Sequence, residues 1–142
     1  MLSHFVRCTS AAVLGALALL ASVPPAAAAE DGWKEIATTA RKKVLLKPSS
    51  IRRHGEFVEA WTRYEYAELQ REVGKVPYRT SNYLTDYDCK GVREMTRRVV
   101  SHNGPLEAHD LDLSRRQEWR PVGGAKTVSG VVFEQVCAKV PG

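Results

Sequence analysis

The chain passes through three regimes of apolar and polar patterning. From Ala11 to Val23 the sequence is almost unbroken apolar for 13 residues, until Pro24-Pro25 ends the run. From Trp33 to Leu113 short segments alternate apolar and polar residues, the period of a half-buried strand. From Ala125 to Val136 the period lengthens: Val128, Val132, Phe133 and Val136 fall on one helical face, and Cys137 continues it.

Within the middle regime, Trp33 to Ala37 reads as a strand and Val44-Leu45-Leu46 as a short apolar run. Lys47 to Ile51 is a turn, because Pro48 fixes its own φ and Ser49 and Ser50 can bond nearby backbone. Arg53-His54-Gly55-Glu56 predicts a tight hairpin turn in which Gly55 takes positive φ. Glu56 to Tyr66 is the longest predicted strand. Val58, Ala60, Thr62, Tyr64 and Tyr66 share one of its faces; Phe57, Glu59, Trp61, Arg63 and Glu65 share the other.

Ala67 to Pro77 is polar and charged, and is predicted as a loop. Tyr78 to Cys89 returns as a strand with Tyr83, Thr85, Tyr87 and Cys89 on one side. Lys90-Gly91 turns the chain into a strand from Val92 to Ser101, and Asn103-Gly104 closes a hairpin onto a weaker strand from Leu106 to Leu113. Gly130 weakens the terminal helix by about 1 kcal/mol. Strands first and a helix last predict an α+β domain: an antiparallel sheet with a C-terminal helix on one face.

The first apolar run changes the expected compartment. Arg7 precedes it, and the small residues Ala26 to Ala29 follow it, as in a cleaved secretory signal. A retained anchor is the alternative, but a membrane span needs roughly 20 apolar residues. Residues 1–29 are therefore expected to be removed, leaving 30–142 as one domain with no membrane span. Arg7 leaves with the signal, so the net charge falls from +5 to +4. Cys8 lies before the apolar run, whereas a lipid-acceptor cysteine follows one, so no lipoprotein anchor is expected.

Export also decides how the remaining thiols are read. Cys89 and Cys137 form an even pair in an oxidising compartment, and only one intramolecular bond is available to them. The bond would close a loop of about 48 residues and stabilise the fold by roughly 4 kcal/mol. It would also tie the helix to the sheet. A nucleophilic Cys89 is the alternative, but no Cys-x-x-Cys spacing and no catalytic-cysteine signature accompanies it.

Other chemistry is sparse. Asp86 and Asp88 point away from Cys89 and are expected on a solvated edge; two carboxylates are too few for a calcium loop. His54, His102 and His109 show no metal spacing, so no metal site is expected. No zinc, phosphate-loop or serine-hydrolase signature occurs, and no enzyme is expected. The basic doublets Arg52-Arg53, Arg97-Arg98 and Arg115-Arg116 are scattered, with Arg97 and Arg98 expected on opposite faces. They suit an acidic partner better than nucleic acid, which export removes. Phe57, Trp61, Tyr64, Tyr66 and Trp119 are candidates for an aromatic-lined ligand pocket, with core packing as the alternative.

An ordered set of residues resembles one known family. Trp33, Pro48-Ser49-Ser50-Ile51, Arg52, Trp61, Asp88-Cys89, Glu118-Trp119-Arg120-Pro121 and Cys137 together resemble the surface-adhesin protein E family of proteobacterial envelopes. The resemblance implies a sheet of about six strands whose concave face carries a helix tethered by a disulfide, here Cys89–Cys137. It implies a tendency to form homodimers. It implies binding to host matrix proteins such as vitronectin and laminin, and to haem. It carries over no ligand-binding residue. A structural envelope module that dimerises through its sheet is the other expected role. The expected location is periplasmic or secreted, with possible association with the cell surface.

Overall fold

The computed structural model describes residues 32–72 and 74–140. The expected signal segment lies outside the described residues. Eight strands form one antiparallel sheet: β1 (Lys34–Thr38), β2 (Lys42–Leu46), β3 (Arg52–His54), β4 (Phe57–Gln70), β5 (Tyr78–Asp88), β6 (Arg93–Asn103), β7 (Leu106–Asp112) and β8 (Arg120–Pro121). Six of them run in the order β1-β2-β4-β5-β6-β7, as the resemblance implies. The short β3 and β8 attach to β4 and β6. Helix α1 (Val128–Cys137) follows.

The helix lies on one face of the sheet, and the core forms between them. Val44 and Leu46 of β2, Val58 and Ala60 of β4, and Tyr87 of β5 pack against Val132 and Val136 of α1. This is the even-numbered face of β4; the alternation separates the two faces, and the structure shows that this one is the core side. Thr127 caps the helix: its side-chain oxygen accepts a hydrogen bond from the Gly130 N–H at 3.1 Å. Gly130 costs helix propensity but has a packing reason. A Cβ there would collide with the Gly124 carbonyl, so only glycine lets the first helical turn sit on the incoming loop.

The disulfide joins Cys89, just beyond β5, to Cys137 at the last helical residue, with Cα atoms 5.8 Å apart. The helix is thus held near its start by Thr127 and Gly130 and at its end by a covalent bond. Asp88, next to Cys89, faces the other way. Its carboxylate accepts from the Gly91 N–H at 2.8 Å and from Arg93 Nε at 2.8 Å, closing the turn into β6. Those two donors hold the Asp88 carboxyl below the ordinary aspartate value.

Four local expectations are corrected. The loop expected from Ala67 is strand as far as Gln70: the ladder with β5 is irregular after Glu65 and resumes at Gln70, which faces Tyr78. The hairpin turn expected over Arg53 to Glu56 is narrower. Arg52–His54 pair with β4, and the chain reverses at Gly55, whose φ is +62°. Val92 belongs to the preceding turn rather than to β6, with φ at +51°. The helix starts at Val128, three residues later than the apolar pattern suggested, because Thr127 is the cap.

Candidate functional site

The two faces of the sheet treat their acidic residues in opposite ways. On the helix-free face, Glu59 of β4 and Asp86 of β5 stand opposite one another in the ladder and are 3% and 2% exposed. Asp86 was expected on a solvated edge and is instead buried. Neighbouring strands bring cations over it. The Arg97 guanidinium lies 2.7 Å from Glu59 Oε2 and 3.6 Å from Asp86 Oδ2. Arg52 reaches Glu59 Oε1 at 2.6 Å, and His54 Nδ1 lies 3.1 Å from Asp86 Oδ2. Burial pushes the Asp86 carboxyl above its usual value, and the neighbouring His54 and Arg97 partly offset this.

Arg97 reaches this cluster because of a β-bulge. Leu84 pairs with Arg98 and Thr85 with Thr96, which leaves Arg97 as an extra residue in β6. The extra residue puts both arginines on the helix-free face, where alternation alone predicts opposite faces. Arg98 then reaches Asp110 of β7.

The ligand atoms of His54, Glu59 and Asp86 lie within 4.8 Å of one another, a grouping that could hold a metal ion. Sequence spacing gives no hint of it, since His54 and Asp86 are 32 positions apart. The Arg97 guanidinium already bridges the two carboxylates. A metal would have to displace it, and we assign the cluster to structure.

The helix-bearing face holds a row of tyrosines. Tyr64 and Tyr83 lie 4.7 Å apart by ring centroids, and the Tyr66 and Tyr83 hydroxyls are 3.0 Å apart. Lys42 Nζ lies 4.1 Å above the Tyr64 ring. Burial, with Tyr83 and Glu94 adding negative potential, pushes the Tyr64 phenol up to about 12, so it stays protonated at neutral pH. Beside this row a cavity of about 130 Å³ opens between the sheet and the first turns of α1, lined by Tyr64, Tyr83, Tyr87, Glu94, Ser129 and Val132. A second cleft of about 260 Å³ shares Tyr83, Glu94 and Thr96 with it and runs out towards Arg116 and Arg120.

The five candidate aromatics do not converge. Phe57 packs on Trp119 at 4.6 Å and Arg93 lies over Trp119 at 4.8 Å. Phe57 and Trp61 belong to the odd face of β4, whereas Tyr64 and Tyr66 belong to the even face. The aromatic cavity that forms instead draws on Tyr83 and Tyr87 of β5. The sequence reading placed both on one face but did not connect them to a site.

A helix clamped by a disulfide onto one face of an antiparallel sheet, with the opposite face held by an ion cluster, defines an α+β module. The family model described as surface-adhesin protein E matches residues 33–138, and the chain belongs to that family. Comparisons with curated proteins and with solved structures find no match.

Proposed function

We propose that residues 30–142 form an exported, non-enzymatic binding domain that recognises a protein ligand through its disulfide-braced sheet. A host matrix protein is the ligand class that the family suggests. The observation that carries this reading is the family match over residues 33–138, which includes every strand and the helix. Among the described residues no helix is long and apolar enough to cross a membrane. In this reading the N-terminal segment directs export and is removed, leaving a periplasmic, secreted or surface-associated domain without a lipid anchor. Haem enters only through the family; Phe57, Trp61, Tyr64, Tyr66 and Trp119 do not gather to receive a porphyrin.

The test is direct. Immobilised mature protein is presented with vitronectin, laminin and hemin at physiological salt. Saturable binding to a matrix protein is expected, and its absence for all three ligands would sink the adhesin reading. A second reading, a structural module that dimerises through its sheet, is favoured by one feature. β7 is an end strand of the main strand order, and its Leu106 and Leu111 are exposed. Sedimentation of the mature domain distinguishes the two: a tight homodimer with no matrix binding would favour the second.

A further inference from the structure

Glu94, half-buried, differs from the buried acids Glu59 and Asp86. It lies on the helix-bearing face of β6, opposite Tyr87 of β5 and Arg120 of β8. One oxygen, Oε1, accepts a hydrogen bond from the Ser129 hydroxyl at 3.1 Å. Among the described residues no cation lies within ion-pair distance of either oxygen, although Arg120 contributes at longer range. Arg120 instead lies 3.6 Å from Glu118. No buried side-chain oxygen in the described structure lacks a partner, so Oε2, which has none, is reached by solvent where Glu94 lines both the cavity and the adjoining cleft.

The cavity walls fix the chemistry of an occupant. Tyr64 and Tyr83 line the cavity together with Tyr87, which is otherwise buried in the core, and a ring face attracts a cation within about 6 Å of its centroid. The Tyr64 ring is already used in this way by Lys42. A half-buried carboxylate at the floor of a tyrosine-lined pocket is complementary to a flat or compact cation with an apolar stem. The volume of about 130 Å³ admits a side-chain head group.

We propose that Glu94, with Tyr64, Tyr83 and Tyr87, binds the guanidinium of an arginine side chain presented by a protein partner. This rests on the binding reading above and names the contact through which it would act. The guanidinium is preferred to a lysine ammonium because it stacks on rings and pairs with a carboxylate at the same time. Arg116 and Arg120 at the rim would repel a partner that is basic throughout, and Glu118 beside Arg120 offsets part of that. The pocket therefore selects a single inserted arginine rather than a basic tract. Burial raises the Glu94 carboxyl above the usual glutamate value, against the Ser129 hydrogen bond and the distant Arg120. A bound cation favours the ionised carboxylate, so binding is expected to strengthen as pH rises through that raised value.

The experiment titrates the mature domain with the blocked tripeptide acetyl-Gly-Arg-Gly-amide and with its Gln counterpart, followed by backbone NMR shifts. The Arg peptide is expected to move Glu94, Thr96 and Ser129 resonances saturably, and the Gln peptide not to. Glu94→Gln keeps an oxygen to accept from Ser129, so a purely structural Glu94 would tolerate it. In this variant the Arg peptide should bind about tenfold more weakly or worse. Ser129→Ala, which keeps the charge but loosens its position, should weaken it less. Equal binding of the two peptides, or undiminished binding to Glu94→Gln, overturns the pocket. The matrix-protein assay repeated with Glu94→Gln separates the two readings. Matrix binding that survives the substitution overturns the pocket as the contact and leaves the adhesin reading standing. Arginine binding in a domain that captures no matrix protein supports the pocket and removes the adhesin reading.

Discussion

The helix-free face buries two acidic side chains and the helix-bearing face half-buries a third, yet only the first face supplies its own counter-charge. Glu59 and Asp86 sit under Arg97, Arg52 and His54. Glu94 has a hydroxyl, three tyrosine rings and an open oxygen. Taking a carboxylate out of water is unfavourable unless a cation or several donors replace the hydration. The first pair meets that requirement within the chain. Glu94 meets it in part, which is the arrangement expected where a visitor brings the missing charge. A buried acid with a built-in cation therefore reads as structure, and a buried acid without one reads as a site.

The largest expected effect tests what holds the helix-bearing face together. Replacing both cysteines (Cys89→Ala with Cys137→Ala) should lower stability by about 4 kcal/mol, read from urea unfolding. The helix should be the first element to lose amide-exchange protection. Arg97→Met breaks the comparison from the other side by leaving Glu59 and Asp86 underpaid in charge. It should cost roughly 2–3 kcal/mol, below the usual range for a fully buried pair because Arg52 and His54 remain. If Arg97→Met and Glu94→Gln destabilise equally, the distinction between the faces fails. Gly130→Ala should destabilise by about 1 kcal/mol, since the clash with the Gly124 carbonyl outweighs the gain in helix propensity.

The smallest effect is in pH. The folded-state pKa of Glu94 is raised above its unfolded value. Its contribution to stability is therefore fully present below the ordinary glutamate pKa and is lost as pH rises through the raised one. Glu94→Gln should remove that decline, so the variant gains on the parent as pH rises above the ordinary glutamate value. Thermal unfolding across that range reads the difference. A parent and variant with parallel curves would show that Glu94 is fully hydrated in the folded chain.

The sequence exposed the parts of this fold that depend on local periodicity. Even and odd positions of β4 separate into two faces, although which one is the core was not legible because both carry aromatics, and Val128, Val132, Phe133 and Val136 mark the helix stripe. The disulfide followed from a count of thiols in an exported chain. The last residues of β4 did not show, because Ala67, Glu68 and Leu69 are all exposed and no buried face marks a strand whose ladder is irregular between Glu65 and Gln70. The ion cluster did not show either. It joins β3, β4, β5 and β6, and its members meet only after the ladder fixes their register. Glu94 was a polar residue in a strand until Ser129, 35 positions later, came to lie beside it.

The bulge at Arg97 acts as a phase shift. With Arg98 held where it is, a β6 of uninterrupted alternation would turn Arg97 towards the helix and send Glu94 to the far side. Arg97 would then stand among the tyrosines as a resident cation, while a third acid would join Glu59 and Asp86. One additional residue in a single strand thus decides which side of the sheet is electrically closed and which stays open to another molecule.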